Sequence, residues 1–393
     1  MQPLDGIVVV DASQALSGPY ATQILADMGA EVLKIESPKR GDLTRTLPPK
    51  YGEEISAYFA SLNRNKESLT LDLTAEEGQT VLHDLVAEAD VFIQNFGPGA
   101  AEEMSVDYDT LEAITEDLIY CDVSSYGEDS PYSDRKAFDI VFQGQSGLMG
   151  VTGTEDEPIR IGTSISDIAA AMTATYAIMT ALYHRSNTDE GQYIDVSLLD
   201  TSFQLLMYHV STFFATGENP KRMGRKHWNV APYGVFETAD SYIAMGVINE
   251  PMWQSFCQAV NREEWLEDGR FETFYSRVDN RDILDTLVEN RLKDQTTDEW
   301  LDVLLDHDIP CSAINSVEDI VNDPHIEARD MLKTVEHPEH GEFTLINNPV
   351  NFSTLEAEVR TAPPALGENT DDVLEALGYS TEEIASLRDR GIV

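Results

Sequence analysis

Along the first half of the chain, short continuous hydrophobic runs alternate with longer stretches of helical spacing. The strand-like runs, several of them rich in Val and Ile, predict buried parallel strands, at residues 6–10, 31–35, 68–73, 90–94, 117–123 and 192–196. Helical stretches lie between them, at residues 20–28, 76–87 and 163–185. This alternation predicts an α/β fold with a doubly wound, Rossmann-like sheet. The chain lacks the GxGxxG fingerprint of dinucleotide-binding proteins, so NAD and FAD are not supported as ligands.

The longest helical stretch, residues 163–185, is apolar on nearly every face, which predicts a buried helix. Ser164 and Ser166 are residue types that favour the N-cap position. Asp167 falls in the first turn, where free N–H groups and the helix dipole stabilise a negative charge. From this stretch alone, helix capping is the more common explanation of such an aspartate, and a catalytic carboxylate is the alternative.

The pattern changes after residue 200. Residues 200–214 predict an amphipathic helix, and the stretch ENPKRMGRKHWN that follows it predicts an extended linker. We expect a large Rossmann-like domain, a linker, a small α+β domain and a return of the chain to the large domain, at residues 1–200, 201–229, 230–316 and 317–393 respectively. The returning segment is predicted to form two short helices and a long polar tail, and the end of the chain predicts a helix pair.

The composition is strongly acidic, because 71 Asp and Glu residues against 26 Lys and Arg residues give a formal net charge of −45. The acids are spread along the whole chain, and hydrophobic residues make up 42%, which is enough for a normal core. At about 1 M salt the Debye length falls to ~3 Å, so the self-repulsion of such a surface nearly vanishes. We therefore expect a cytoplasmic protein of a halophilic cell. This sign of charge argues against nucleic-acid binding.

The cysteines and the hydropathy of the chain also indicate a cytoplasmic protein. Cys121, Cys257 and Cys311 are far apart in the sequence, which is typical of reduced cytosolic thiols and not of a disulfide framework or a zinc site. The histidines have no spacing that predicts a metal site. We expect neither a signal peptide nor a membrane span, since no run of about 18 apolar residues is uninterrupted.

The few basic residues are clustered. In a chain this acidic, such clusters indicate an anionic ligand such as a phosphate or a carboxylate, and ion pairing with nearby surface acids is the alternative. Three clusters together favour a polyanionic small molecule. They comprise Lys34, Lys39, Arg40 and Arg45; Arg64 and Lys66; and Lys221, Arg222, Arg225, Lys226 and His227.

Eight segments, in order, resemble the class III CoA-transferases of the CaiB/BaiF type, which include formyl-CoA transferase, carnitine CoA-transferases and α-methylacyl-CoA racemases. The segments are VDASQALSGPYATQILADMGAEVLKIE, LNRNKESLTLDL, DVFIQNFGPGA, YGEDSPYSDRKAFDIVFQGQSGLMGVTG, GQYIDVSLLD, IPCSAIN, DPHIEARDML and APPALGENTDDVL. The resemblance runs nearly end to end. It implies an interlocked-ring homodimer that takes coenzyme A thioesters and small carboxylic acids as substrates, with no permanently bound cofactor and no metal.

Asp167 is the position that matches the family's catalytic aspartate. A carboxylate at a helix start can attack a thioester carbonyl to give an aspartyl anhydride and CoA thiolate. The thiolate then forms an aspartyl-CoA thioester, which the acceptor carboxylate attacks in turn. The resemblance also implies CoA contacts at Gln14, Ala15, Lys34, Lys39, Arg40, Arg64, Lys66, Asn95, Phe96, Gly97, Phe138 and Gln143.

Two departures from the family pattern narrow the activity. Racemases place a histidine before the aspartate at the position of Phe138, and phenylalanine cannot transfer a proton. A transferase is therefore favoured over a racemase or epimerase, and a non-catalytic CoA-binding protein is the third alternative.

Residues 244–249, expected to cover the active site, lack the glycine run of formyl-CoA transferase, and Gln14-Ala15-Leu16 replaces its His-Val-Gln. Both differences argue against formyl or oxalate substrates.

Basic residues outside the first two clusters suggest which acids are used. Arg160, Arg225 and His227 are candidates to hold a second, non-reacting carboxylate, which favours dicarboxylic substrates, and an ordinary surface role is the alternative for each. A salt-adapted member of the family most resembles the haloarchaeal succinyl-CoA:mesaconate CoA-transferases. The resemblance therefore implies succinyl-CoA as donor and mesaconate as acceptor, with neither nucleic acid nor membrane as a partner.

Overall fold

The structure is a computed structural model that describes residues 2–52 and 55–393. Its strands are β1 (Val8–Asp11), β2 (Glu31–Glu36), β3 (Lys50–Tyr51), β4 (Ile55–Ser56), β5 (Glu67–Thr70), β6 (Val91–Gln94), β7 (Ile119–Ser124), β8 (Gln192–Ser197), β9 (Tyr233–Glu237), β10 (Tyr242–Gly246), β11 (Cys311–Ala313), β12 (Leu332–His337) and β13 (Gly341–Ile346). Its α-helices are α1 (Ser17–Asp27), α2 (Ala57–Ala60), α3 (Glu76–Val86), α4 (Ala100–Glu103), α5 (Tyr108–Glu112), α6 (Asp139–Gln145), α7 (Leu148–Val151), α8 (Ile165–Thr188), α9 (Leu198–Gln204), α10 (Met207–Thr216), α11 (Glu250–Ala259), α12 (Phe274–Asp279), α13 (Arg281–Leu292), α14 (Thr297–Asp306), α15 (Val317–Val321), α16 (Pro324–Ala328), α17 (Thr370–Ala376) and α18 (Thr381–Asp389).

The chain divides into two compact units. Unit 1 contains the described residues up to Ser146 together with Ile161–Leu206 and Pro324–Val393. Unit 2 contains Gly147–Arg160 and Met207–Asp323. Both units are therefore built from segments that are distant in the sequence.

Unit 1 is organised around a parallel sheet of six strands in the order β5-β2-β1-β6-β7-β8. The neighbouring residues Val9 and Val10 are both fully buried, but in separate hydrophobic clusters on opposite faces of the sheet. Both faces are covered, so the strands have continuous apolar runs and not alternating ones. The predicted α/β class with a parallel sheet is confirmed.

The strand order reverses between β1 and β6. The chain passes from β1 to β2 and β5 on one side, and then builds β6, β7 and β8 on the other side. In open α/β sheets, the crevice at the carboxyl ends of the strands at such a reversal is the usual ligand site. The loops that follow β1 and β6 therefore mark the edge where a functional site is expected.

Helix α8 is buried on one side only, so the prediction of a helix buried on every face is wrong. Ala170, Ala174 and Ile178 are fully buried in the core of unit 1, whereas Met172 and Tyr176 are exposed. The sequence of α8 is apolar on nearly every face because the exposed face also carries large apolar side chains. Among the described helices, α8 alone has the length and hydropathy of a membrane-crossing helix, a property that the core helix of a globular protein can share.

The returning segment adds structure that the polar composition concealed. Strands β12 and β13 form an antiparallel hairpin where a polar tail was predicted. In β13, the buried residues Phe343 and Leu345 alternate with exposed ones, the period-two pattern of a half-buried strand. The predicted helix pair at the end of the chain is confirmed as α17 and α18.

Unit 2 is built on the three-stranded antiparallel sheet β11-β10-β9. Its core contains Trp253, Phe256 and Trp300, from helices α11 and α14, packed with Ile243 of β10. The Trp300 indole Nε1–H donates to the Leu292 carbonyl at 2.6 Å, so its polar group is satisfied inside the core.

One further helical prediction needs correction, and two short helices were not predicted. The segment at 130–163 contains α6 and α7, which are too short to show a helical period. The helix expected at 200–214 is two helices, α9 and α10, which end and begin on either side of Leu205–Leu206. Nothing in the local sequence explains this break.

Candidate active site

A carboxylate from another helix caps the start of α8. Ser164 occupies the N-cap position, but its side chain makes no capping hydrogen bond, and the hydroxyl of Ser166 is buried without a partner. Instead, the Ser166 backbone N–H donates to Asp139 Oδ1 at 2.9 Å. Ser164 is therefore the N-cap residue, as predicted, but the capping side chain is that of Asp139, the first residue of α6.

Asp167 lies in the first turn of α8, partly shielded from water. Burial, and then repulsion from Asp139, raises the pKa of Asp167 from 3.8 to about 7. Tyr58 of α2 faces the same carboxyl group, and burial together with the charge of Asp167 raises the pKa of this phenol. A carboxylate with this pKa is close to its midpoint at neutral pH, which suits a group that must be both basic and ionised.

Gln143 holds the segment that leads into α8. Its Nε2 donates to Asp139 Oδ2 at 2.7 Å and to the Thr163 carbonyl at 3.3 Å. Its Oε1 accepts from the Ile161 N–H at 2.8 Å. The side chain is 0% exposed. The structure therefore gives Gln143, predicted as a CoA contact, a buried position under the helix start, while Phe138 beside it is 79% exposed.

The loops at the carboxyl ends of β1 and β6 are joined to each other. The Gln14 N–H donates to Asn95 Oδ1 at 2.8 Å, and Asn95 Nδ2 donates back to the Gln14 carbonyl at 2.7 Å. Ala15 has a φ of +67°, a left-handed conformation in which its N–H donates to Asp42 Oδ2 at 3.2 Å. The predicted residues Gln14, Ala15, Asn95 and their neighbours are therefore brought together at the strand-order reversal.

An exposed cation stands beside the second of these loops. A Cβ atom placed on Gly97 would lie 3.6 Å from Lys136 Cε, so the aliphatic part of the lysine side chain lies over this glycine. Its neighbour Arg135 stacks on the Tyr132 ring, with 4.0 Å from the guanidinium carbon to the ring centroid. Arg135 and Lys136 thus place positive charge at the crevice in an otherwise acidic chain.

Comparison with known proteins identifies the family. The model of CoA-transferase family III matches residues 4–370. The chain belongs to this family. It is 33% identical over 395 residues to the Mus musculus succinyl-CoA:glutarate CoA-transferase, covering 100% of this chain and 91% of that protein. It is also 33% identical over 391 residues to the Haloarcula hispanica succinyl-CoA:mesaconate CoA-transferase, covering 97% and 98%.

A solved structure supports the same assignment. A CAIB/BAIF family protein from Brucella suis matches with a TM-score of 0.87 and 36% sequence identity, covering 96% of this chain and 99% of that chain. The predicted resemblance to the CaiB/BaiF-type family is confirmed. The protein is therefore an enzyme, a CoA-transferase, and enzymes of this family use CoA thioesters as substrates.

Four basic residues of the first two predicted clusters are buried ion-pair partners in the transferase. Lys34 pairs with Asp42 at 3.1 Å, and Lys66 pairs with Asp11 at 3.0 Å. Although burial opposes it, the charges of both lysines lower the pKa of Asp11 below its ordinary range. The other two pairs are Arg45–Glu36 at 2.6 Å and Arg64–Asp27 at 2.7 Å.

These pairs stabilise the fold of unit 1. Arg45 also donates to the carbonyl of Pro364 at 3.1 Å, which ties the returning segment to the edge of the sheet. Lys34 donates to the Ser13 carbonyl at 2.9 Å and so supports the loop after β1. From these two predicted clusters, only Lys39 and Arg40 are exposed among the described residues, so a direct phosphate contact remains a prediction for those two.

In unit 2, the third basic cluster borders a groove of about 680 Å³. The groove is lined by Arg225, Lys226 and His227 together with the segment from Ala244 to Ile248. Acids already partner two of these cations. Arg225 lies 3.7 Å from Glu289 and 4.0 Å from Glu237, and Lys226 lies 3.0 Å from Asp285 and 3.2 Å from Asp282. Burial and the nearby Arg281 lower the pKa of His227, which favours its neutral form.

The remaining basic candidates of unit 2 lie elsewhere. Arg222 donates to the carbonyls of Thr154 and Glu155, each at 2.8 Å, and Arg160 is exposed. The predicted carboxylate-binding set is therefore only partly assembled within this unit, around Arg225 and His227.

Sequence reasoning missed four candidate functional residues. Asp139 was considered only as the residue after a missing histidine, and Tyr58 was not considered at all. The adjacent pair Arg135-Lys136 lies inside a segment that resembles the family, and in so acidic a chain its charge was a usable signal. No local pattern marks Tyr58, because its closeness to Asp167 arises from tertiary structure.

Proposed function

We propose that this transferase moves CoA from succinyl-CoA to a small dicarboxylate through a covalent intermediate on Asp167. The observation that carries the proposal is the Asp167 carboxyl group, which lies at a helix start with its pKa raised to about 7. The donor is suggested by relatives named as succinyl-CoA transferases. The acceptors of those relatives are glutarate and mesaconate, and we keep mesaconate as the first choice.

In the first step, an Asp167 carboxylate oxygen attacks the thioester carbonyl of succinyl-CoA. The new C–O bond forms as the C–S bond breaks, and CoA leaves as a thiolate with the electron pair. The thiolate then attacks the aspartyl carbonyl of the anhydride, which releases succinate and leaves an aspartyl-CoA thioester. The acceptor carboxylate attacks the aspartyl carbonyl of this thioester, which breaks the C–S bond, expels CoA thiolate and forms a second anhydride. The thiolate then attacks the acceptor's carbonyl carbon, and Asp167 leaves as a free carboxylate.

CoA is proposed to bind at the crevice where the loops after β1 and β6 meet. The Gln14–Asn95 pair fixes the two loops, and exposed Lys39, Arg40 and Lys136 supply charge for its phosphates. We propose that Arg225 and His227, with Arg160 as a further candidate, bind the distant carboxylate of the acid. No metal or permanently bound cofactor takes part, since each bond that breaks belongs to an activated acyl group.

We also propose a homodimer. Helix α10 carries Phe213 and Phe214 and has no buried residue, while the outer face of α8 exposes Met172 and Tyr176. Large exposed apolar patches of this kind mark interaction sites, and a second copy of the chain would cover them. Sedimentation of the protein at high salt is expected to give a dimer, and a stable monomer would contradict this part of the proposal.

The experiment follows CoA transfer by mass spectrometry at about 2 M KCl, where surface repulsion is screened. Succinyl-CoA is offered with mesaconate, glutarate or oxalate, each carrying a carbon isotope label. The wild-type protein is expected to form a labelled dicarboxylyl-CoA, and Asp167→Asn is expected to form none. Exposed Asp129 provides the matched control, because Asp129→Asn removes the same charge from the surface and should retain transfer.

Three outcomes would contradict the proposal. Appreciable transfer by Asp167→Asn would remove the covalent role of that residue. Oxalate as the best acceptor would overturn the argument against oxalate that was drawn from the Gln14-Ala15-Leu16 departure. Deuterium exchange at the α-carbon of a 2-methylacyl-CoA without any acceptor acid would indicate the racemase alternative, although Phe138 offers no proton-transfer group.

A further inference from the structure

We propose that the buried Asp139 carboxylate is a positioning residue, whose charge beside Asp167 favours the acylated form of the enzyme. The inference rests on the proposed covalent role of Asp167 and adds a second residue to that site. It assigns Asp139 two tasks. One is to hold the first turn of α8 in place, and the other is to repel Asp167 whenever Asp167 is free and ionised.

The first task follows from the hydrogen bonds of Asp139. Its Oδ1 accepts from the Ser166 N–H at 2.9 Å, and its Oδ2 accepts from Gln143 Nε2 at 2.7 Å. Both oxygens therefore act as acceptors, as in an ionised carboxylate. Because Gln143 also accepts from the Ile161 N–H, this network fixes both the approach to α8 and its first turn.

The second task follows from the kind of donors that Asp139 binds. A backbone N–H and a side-chain amide are both neutral, so these hydrogen bonds solvate the charge without cancelling it. The titratable groups that face Asp167 are Asp139 from α6 and Tyr58 from α2. Two neighbouring carboxylates oppose each other's ionisation, and repulsion from Asp139 contributes to the raised pKa of Asp167, after burial.

Acylation removes this repulsion. When Asp167 bonds to the acyl carbon, the C–S bond breaks and the negative charge leaves on the CoA thiolate. Asp167 then carries no charge in either the anhydride or the aspartyl-CoA thioester. The repulsion by Asp139 is present only in the free, ionised enzyme, so it raises the energy of that state relative to both covalent states.

Variants at 139 and 143 separate charge from hydrogen bonding. Asp139→Asn keeps an oxygen to accept from the Ser166 N–H but loses the charge and the hydrogen bond from Gln143. Gln143→Met loses the same hydrogen bond and keeps the charge. If Asp139→Asn does not fold, Asp139→Ser replaces it, since serine is a neutral acceptor that also suits a helix start.

The experiment measures kcat/KM for CoA transfer from pH 5.5 to 9. It also measures the fraction of enzyme trapped by hydroxylamine with saturating succinyl-CoA and no acceptor. In either neutral variant, the acid limb of the profile is expected to move to lower pH by about one unit, because Asp167 ionises more readily. The plateau should fall several-fold, since a less basic carboxylate is a weaker nucleophile, and the trapped fraction should fall with it. Gln143→Met is expected to lose activity evenly across the pH range.

An unchanged acid limb in the neutral variants would overturn the inference, as would an equal displacement in Gln143→Met or an undiminished trapped fraction. These failures differ from a failure of the proposed function. If the wild-type enzyme forms no adduct on Asp167, the proposed function itself fails. If the wild-type adduct forms and Asp139→Asn behaves as the wild type, only the role of Asp139 is lost.

Discussion

Replacing Asp167 with asparagine is expected to stabilise the folded protein above pH 7 while it abolishes activity. Burial, and then repulsion from Asp139, raises the pKa of Asp167 from 3.8 to about 7. The folded state therefore binds this proton more tightly than the unfolded state does. The stabilisation that this bound proton gives the folded state is fully present below pH 3.8 and is lost as the pH rises through about 7.

The magnitude follows from the pKa difference of about three units, at ~1.4 kcal/mol per unit. This sets a ceiling of about 4 kcal/mol on the free energy that ionised Asp167 costs the fold at pH 8. Partial contact with water screens some of the effect, so we expect Asp167→Asn to raise the free energy of unfolding by about 2–4 kcal/mol at pH 8. At pH 5 the wild-type group is protonated in the folded state, and the gain should fall to less than about half.

The assay is urea unfolding of both proteins at pH 5 and pH 8 in about 2 M KCl. Asp129→Asn, on the exposed surface, is the control and should change the free energy of unfolding by less than about 0.5 kcal/mol at either pH. A stability gain in Asp167→Asn that is as large at pH 5 as at pH 8 would refute the reasoning. So would a loss of stability at both values.

Three further results are expected. Lys66→Met removes the ion-pair partner of buried Asp11, so thermal unfolding should show that the free energy of unfolding falls by about 3–5 kcal/mol. The control Lys39→Met, at an exposed position, should change the free energy of unfolding by less than about 0.5 kcal/mol. Raising KCl from about 0.1 M to 1 M shortens the Debye length from ~10 Å to ~3 Å, so the net charge of −45 predicts a higher unfolding midpoint, and an unchanged midpoint would contradict this. Tyr58→Phe removes a polar group that faces Asp167, so the acid limb of kcat/KM should move to higher pH, opposite to Asp139→Asn.

The sheet could be predicted because its strands are fully buried. Continuous Val and Ile runs such as the one at Val8–Val10 have one common explanation in an α/β chain, and the loops at their carboxyl ends follow from the strand direction. The hairpin β12–β13 was missed although Phe343 and Leu345 show the period of a strand. Its polar half-exposed face hid the pattern within a charged segment.

Contacts between distant residues were out of reach. Arg64 and Asp27 are 37 residues apart, and nothing in either neighbourhood shows that they form a buried pair. Basic residues that cluster in the sequence were therefore predicted to bind a ligand, although several of them form buried ion pairs within unit 1. In the same way, the residue preference at helix starts predicts that a serine caps α8, whereas the carboxylate that accepts from the Ser166 N–H belongs to Asp139, 27 residues earlier.

The central claim is that Asp167 becomes acylated, and its tryptic peptide offers a direct measurement. Cleavage after Arg160 and Arg185 releases residues 161–185, in which Asp167 is the sole acidic residue. The enzyme is mixed with succinyl-CoA without acceptor, trapped with hydroxylamine and digested for mass spectrometry. We predict a hydroxamate on this peptide, at Asp167, and its absence from Asp167→Asn. A modification on another peptide, or turnover with no modified peptide, would contradict the account.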